Sequence, residues 1–351
     1  MKKQLLFLFF FLTFATFSFG QIGGTAIWEF LNFPTSARVA SLGGANISLQ
    51  DDLNMAFYNP ALLNSDMNNH FAINYVAYFA DISISSFAFA HHWDKWGTFD
   101  VNLINMNYGK FIAADEQGNI TGDFRATEYS VELGWSKKID SSFSVGLNIK
   151  QISSVLETYH SYGIAADLGL NYYSPVYLLS TSLVIKNTGY QIETYEGNNH
   201  EPLPFEIQLG ITKKLAHAPF RVSITATHLE KFDMTYTITD PNATSQILGS
   251  APQQSQWLTF ADKAMRHLVF GVELVPIKNF FFNMGYNYQR QKEMSIDTKG
   301  GFVGFSWGFG LKLYKFNVSY GRASYSLAGA SNHFSISTNL SDFYSKATQN
   351  N

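Results

Sequence analysis

The chain has 351 residues, 46% of them hydrophobic and 16% aromatic, with 32 Phe, 19 Tyr, no Cys and a formal net charge of -3 at pH 7. Zero cysteine excludes a disulfide framework and thiolate chemistry, and a slightly acidic chain with no dense basic run has no electrostatic footprint for nucleic acid. Mean hydropathy is only -0.06, and past the first twenty residues no apolar run approaches the ~18 residues a spanning helix needs.

Residues 1–20 read as a secretory signal peptide. Lys2 and Lys3 form the positive region, Leu5 to Phe19 the apolar stretch, and Ser18 and Gly20 the small residues before a cleavage point at Gln21. Residues 21–69 follow with no strict alternation. They hold Gly23-Gly24, an apolar cluster at Ile27, Trp28, Phe30 and Leu31, and then Gly43-Gly44. This segment is expected to be a plug or hatch tucked into the periplasmic end of a barrel.

From about residue 70 to 340 one unit recurs: some ten residues with apolar side chains at alternate positions, then a turn. Phe280, Phe282, Met284, Tyr286 and Tyr288 alternate with Phe281, Asn283, Gly285, Asn287 and Gln289. One face suits lipid and the other is polar or nearly empty, which is the signature of a transmembrane β-barrel. Strands are predicted near 70–81, 83–92, 97–108, 125–137, 142–152, 161–172 and 177–187. Seven more follow near 203–214, 219–229, 265–275, 279–290, 301–313, 315–325 and 331–340. Connections after even-numbered strands are short (93–96, 138–141, 173–176, 216–218, 276–278 and 314). Those after odd-numbered strands are mostly long (109–124, 153–160, 188–202, 230–264 and 291–300). Outer-membrane barrels have short periplasmic turns and long external loops. The predicted fold is therefore an all-β, antiparallel transmembrane barrel of about fourteen strands, both termini periplasmic, with 341–351 as a C-terminal tail.

Eleven glycines fall on the predicted inner face: Gly134, Gly146, Gly163, Gly169, Gly210, Gly271, Gly285, Gly304, Gly308, Gly310 and Gly321. Strand glycines mark bends or places where another backbone comes close. A fourteen-stranded lumen is also too wide for wall side chains alone to fill.

Two motifs precede the first strand: Ser36-Ala-Arg-Val-Ala-Ser-Leu-Gly-Gly-Ala45, and Asp51-Asp-Leu-Asn-Met-Ala-Phe-Tyr-Asn-Pro-Ala61-Leu-Leu63. Gly43 and Gly44 permit positive φ, and Pro60 biases Asn59 toward an extended backbone. Arg38 is positioned to pair with an inward carboxylate, the candidates being Glu132, Asp167, Glu206 and Glu273. Structural roles of this kind are assigned to Arg38, Gly43, Gly44, Asn54, Tyr58, Asn59, Pro60 and Ala61.

These motifs resemble the N-terminal region of the PorV/PorQ family, outer-membrane proteins of the Bacteroidota type IX secretion system. The elements A-R-x-A-x-L-G-G-A and N-x-x-x-x-Y-N-P-A-x-L match Ala37 to Ala45 and Asn54 to Leu62. The segment Gly23 to Leu31 and the modest length look more like PorQ than the longer PorV. The region is shared more loosely with FadL-like barrels, which import hydrophobic molecules. The resemblance implies a non-enzymatic component anchoring a surface attachment complex of PorU, PorV, PorQ and PorZ type, with outer-membrane lipid and lipopolysaccharide around it. The alternatives are a FadL-like transporter of hydrophobic solutes and a PorV-like cargo shuttle. The mainly small and polar inner face disfavours greasy cargo.

No catalytic, metal or cofactor constellation stands out. There is no H-E-x-x-H helix and no S-x-x-K. His91-His92, beside Trp93 and Trp96, reads as part of an interfacial girdle, and Asp51-Asp52 as a solvated loop. The long connection 230–264 carries Asp240-Pro241-Asn242, Gln253-Gln254 and then Trp257, Leu258 and Phe260, which form a candidate external docking surface.

Overall fold

The computed structural model describes residues 26–235, 256–294, 302–326 and 329–344. The strands are β1 (His70–Ala77), β2 (Ser83–Trp93), β3 (Gly97–Ala114), β4 (Ile120–Lys138), β5 (Phe143–Leu156), β6 (Tyr159–Ser174) and β7 (Leu179–Glu193). They continue with β8 (Glu206–Lys214), β9 (Phe220–Ala226), β10 (Leu268–Ile277), β11 (Phe280–Asn287), β12 (Phe305–Leu313), β13 (Phe316–Ser326) and β14 (Gly329–Asn339). Each pairs antiparallel with its sequence neighbours. β1 closes the ring against β14, from His70↔Asn339 to Ala77↔Asn332. Closure leaves no open sheet edge among the described strands, as an element facing hydrocarbon requires.

Burial alternates as the sequence pattern demands. Val131, Leu133, Ile149, Leu168, Met284 and Trp307 are exposed on the outer face, while Ser130, Glu132, Asn148, Asp167, Asn283 and Ser306 are buried inside. One part of the inner wall is apolar rather than polar. Ala72, Val76, Ile84, Ala88, Ala90, Ile104 and Met106 of β1 to β3 belong to the buried hydrophobic cluster.

Three stretches differ from the sequence expectation. β3 and β4 run on through 109–124 as a hairpin, paired from Lys110↔Arg125 to Ala114↔Ile120, past the ends of β2 and β5. A bulge at Gly109, whose φ is 86°, breaks the alternation there and hides the strand from a period-two reading. The connection expected at 153–160 shrinks to a tight turn with Glu157 at φ 58°. Finally, the strand expected to reach 290 stops at Asn287, where α3 (Tyr288–Met294) begins. α2 (Gln256–Arg266) fills the end of the connection 230–264 and runs into the strand expected from 265, which starts at Leu268. Tyr288 thus leaves the lipid stripe and donates its hydroxyl to Asp262 at 2.7 Å.

The core of the molecule is the segment before β1. It contains α1 (Ala37–Ser41) and four 3-10 turns, and its apolar residues from Trp28 to Met67 are buried inside the ring. Short polar residues start the turns: the side chains of Asp52, Asn59 and Asn64 accept from the backbone N–H groups of Asn54, Ala61 and Asp66. The segment enters at the long-loop end, where Ile27 N–H donates to Pro202 O at 3.0 Å, and leaves at the short-turn end, where Leu340 N–H donates to Asn69 O at 2.9 Å. It therefore spans the whole height of the lumen instead of sitting at one end. Its apolar residues are distributed along its length, and only the full height buries them all. The first described residues consequently stand at the end opposite the start of β1, whereas strand parity alone placed both termini together.

Candidate functional site

Wall glycines make room for the hatch. A Cβ added at Gly163 would lie 2.5 Å from the Trp28 ring, at Gly210 2.6 Å from Ile47, and at Gly308 2.6 Å from Ser41. At Gly146, Gly169, Gly285 and Gly321 it would meet Pro60 and Ala61, Asn59, Gly43, and Ala37, and at Gly271 it would lie 3.1 Å from Leu42. Eight of the eleven glycines expected on the inner face are thus docking notches, not relief for barrel curvature. Gly310 faces the wall residue Phe281 and Gly134 faces Asp100 and Asn148. Gly304 lies in the turn before β12 at φ 85° and is not an inward strand position.

Arg38 chooses Glu273 among the four carboxylates offered by the sequence. Its Nε and Nη2 donate to the two Glu273 oxygens at 2.8 and 2.9 Å, and its Nη1 lies 3.0 Å from Asp51 and 3.7 Å from Asp52. Arg221 of β9 joins the same cluster, 3.0 Å from both Glu273 and Asp51. Desolvation opposes the Asp51 charge, but the two guanidinium groups outweigh it and hold the carboxyl well below the usual range. Burial raises the neighbouring Asp52 carboxyl. The pair Asp51-Asp52 thus serves as counter-ion to Arg38 while Asp51, with 52% of its side chain exposed, still faces solvent.

The remaining motif residues hold the hatch to itself or to the wall. Gly43, at φ 96°, donates its N–H to Ser306 Oγ at 2.9 Å, and Gly44, at φ 90°, passes beneath Arg290 of α3. Asn54 accepts from Asn74 of β1 at 2.8 Å. Tyr58 Oη accepts from the N–H groups of Thr35 and Ser36 at 2.9 and 3.1 Å, which ties the two motifs together. Burial pushes that phenol up to about 12. Asn59 donates to Ile47 O at 2.8 Å, Pro60 opens the turn at 60–62, and Ala61 O accepts from Ser144 of β5 at 2.7 Å. Single polar contacts complete the seal. Ser335 Oγ accepts from Ala37 N–H at 2.9 Å, Ser41 and Asn283 meet at 3.0 Å, and Ser48 and Thr212 at 2.6 Å.

A bulge between β6 and β7 turns Lys186 and Asn187 inward together, and both bond the hatch residue Asn32, at 3.0 and 2.9 Å. The ladder fault that exposes this anchor has no trace in sequence alternation, which is why Asn32 was not among the expected site residues.

No arrangement for chemistry emerges among the described residues. The spelling G-x-S-x-G does occur, at Gly304 to Gly308, but Ser306 sits in the regular strand β12 and its hydroxyl is committed to Gly43 N–H and Ser41 O. A nucleophile elbow needs a sharp strand-to-helix turn and a base. His91 and His92 turn apart, bonding Asn69 and Thr98, each at 2.8 Å. A cleft of about 350 Å³ with mixed polar and apolar lining opens at the short-turn end between hatch residues 48–51 and 61–66 and the ends of β4 to β9. At the other end Trp257 and Phe260 of α2 are exposed, 81% and 53%, as is Leu258. Phe260 packs on Phe232 at 5.5 Å and on Trp257 at 6.4 Å. Residues 236–255, including Asp240 to Asn242 and Gln253-Gln254, lie outside the described residues.

Fold and site together define a closed fourteen-strand barrel of the outer-membrane type whose lumen is filled by its own N-terminal segment. The fold is shared with the toluene transporter TbuX of Ralstonia pickettii, with a TM-score of 0.51 at 11% identity over 88% of this chain and 99% of that one. It is shared equally with the toluene transporter TodX of Pseudomonas putida, with a TM-score of 0.50 at 12% identity over 87% and 96%. No protein-family profile and no curated protein sequence matches the chain.

Proposed function

We infer that the protein is a hatch-gated outer-membrane channel for small hydrophobic solutes, the FadL-like alternative that the PorV/PorQ-like motifs placed second. The observation that supports it is the seal. The hatch meets β5, β8, β11, β12 and β14 through hydroxyl and amide hydrogen bonds, which exchange readily with water when a segment moves, and the charged cluster of Arg38 with Glu273 and Arg221 pins it to β9 and β10. The barrel also matches, along nearly its whole length, the fold of two toluene transporters.

The cysteine-free chain allows a direct test. The Ser48 and Thr212 hydroxyls are 2.6 Å apart, so Ser48→Cys with Thr212→Cys places two thiols within disulfide reach. The reconstituted barrel should pass labelled toluene. Oxidation of the pair should stop that flux, and reduction should restore it. Flux no higher than in protein-free vesicles removes the channel reading.

A second reading is favoured by a separate observation, the exposed aromatic face of α2 at the long-loop end. In it the barrel is a non-transporting anchor for a surface complex of the type IX secretion kind, with PorZ-like and PorU-like partners held by Trp257, Leu258 and Phe260. Replacing these three by Ser should then abolish capture of those partners from the native membrane while leaving barrel insertion intact. The oxidised hatch lock should not affect that capture.

A further inference from the structure

The inner faces of β3, β4 and β5 carry a buried patch whose hydrogen bonds do not balance. In register across the strands, Asp100 faces Gly134 and Gly134 faces Asn148, while in the adjoining row Asn102 faces Glu132 and Glu132 faces Lys150. Asn102, Glu132 and Asn148 are fully buried and Asp100 is 4% exposed. Four of their oxygens have no hydrogen-bond partner: Asp100 Oδ1, Asn102 Oδ1, Glu132 Oε2 and Asn148 Oδ1. Turning the amides over does not help, because each amide nitrogen is committed. Asn102 Nδ2 donates to Asp100 Oδ2 at 2.7 Å, and Asn148 Nδ2 donates to Ala56 O of the hatch at 3.1 Å.

The nearby cation is also fully occupied. Lys150 Nζ lies 2.7 Å from Asp167, 3.0 Å from Asn187 and 3.8 Å from Glu132 Oε1. Asp100, Glu132 and Asp167 outnumber the cations nearest them, Lys150 and, farther off, Lys186, in a site closed by the hatch. Gly134 completes the arrangement. Asp100 Oδ1 and Asn148 Oδ1 converge from opposite sides on the space its missing side chain leaves, and Glu132 stands next to that space along β4. No three acidic or histidine side chains converge as a metal cluster among the described residues. Here two carboxylates are joined instead by two amide oxygens. That all-oxygen donor set, with charge -2, is the chemistry of a hard divalent ion.

We propose that the slot over Gly134 is a Ca2+ site, with Asp100, Glu132, Asn102 and Asn148 supplying oxygen ligands. The ion bridges three strands and, through Asn148 and Ala56, braces the hatch against the wall. The proposal is independent of the transport reading.

The test uses the purified full chain in detergent after EDTA stripping, titrated with CaCl2 and separately with NaCl. Ca2+ should raise the melting temperature by roughly 5 °C at a hundredfold excess over its Kd, and Na+ should not. Asp100→Asn keeps the shape of the site and removes one charge, and Gly134→Ala keeps both charges but puts a methyl 1.8 Å from Asp100 Oδ1, which must move out of the slot. Both variants should keep the heat-modifiable gel mobility of a folded barrel and lose the Ca2+ shift. Crystals grown in CaCl2 should show an anomalous peak over Gly134. A wild-type protein indifferent to Ca2+ overturns the proposal and leaves water or a proton as the partner of these oxygens. A Ca2+ shift retained in folded Asp100→Asn and Gly134→Ala also overturns it, since the ion then sits elsewhere.

Discussion

Replacing Arg38 by Ala should be the most damaging single truncation in the hatch. The guanidinium makes two hydrogen bonds to Glu273 and contacts Asp51, with side-chain exposures of 6% for Arg38 and 2% for Glu273. Removing one partner of a buried ion pair costs about 3–5 kcal/mol, because the other charge stays buried without compensation. Here Arg221 remains 3.0 Å from Glu273, so the low end of that range, about 3 kcal/mol, is expected. This corresponds to a factor of roughly 150 in the folding equilibrium. Arg38→Lys keeps the charge but cannot span both Glu273 oxygens, and should lose about half as much. Adding Glu273→Gln to Arg38→Ala removes the stranded charge and should recover part of the loss, giving a coupling energy above ~1 kcal/mol. The assay is guanidinium titration of the barrel in lipid vesicles, followed by tryptophan fluorescence and by protease sensitivity of residues 26–67. If Arg38→Ala unfolds within 0.5 kcal/mol of the parent by that ~1 kcal/mol-scale measure, the cluster does not hold the hatch and the reasoning fails.

Tyr58→Phe should destabilise the hatch by about 2 kcal/mol, since it leaves the buried N–H groups of Thr35 and Ser36 without their acceptor. The same residue gives a pH signature. Its phenol is held up at about 12 in the folded chain against an ordinary value of 10, so its contribution is complete below pH 10 and is lost as pH rises toward 12. Denaturation midpoints between pH 9 and 12 should fall less steeply in Tyr58→Phe than in the parent, the difference being the share of this one phenol. Gly285→Ala drives a methyl against the Gly43 backbone and should cost about 1–3 kcal/mol. Gly122→Ala, in the projecting hairpin, meets nothing within 4 Å and carries only the backbone cost of its φ of 159°, so it should cost less than Gly285→Ala. Equal melting temperatures for these two variants would show that wall glycines are not notches for the hatch.

The alternating pattern determined the barrel by itself, because a strand between lipid and lumen meets two solvents and must change side with every residue. Strand number and closure followed, as did the identity of nearly all inward glycines. Where a bulge adds a residue the pattern slips, so the hairpin beyond Gly109 and the anchor at Lys186 and Asn187 were invisible in one dimension. The sequence also placed Arg38, Gly43, Gly44, Tyr58 and Asn59 in one segment and implied that they fasten it. It offered four carboxylates to Arg38 with no means of choosing among them. Only the tertiary structure selected Glu273, by bringing β9 and β10 beside α1 and adding Arg221 to share the charge. It alone decided that the hatch runs from the long-loop end to the short-turn end, because that path depends on apolar surface summed over the whole lumen. The unpaired oxygens around Gly134 belong to the same category, since they come from three strands whose register no local pattern encodes.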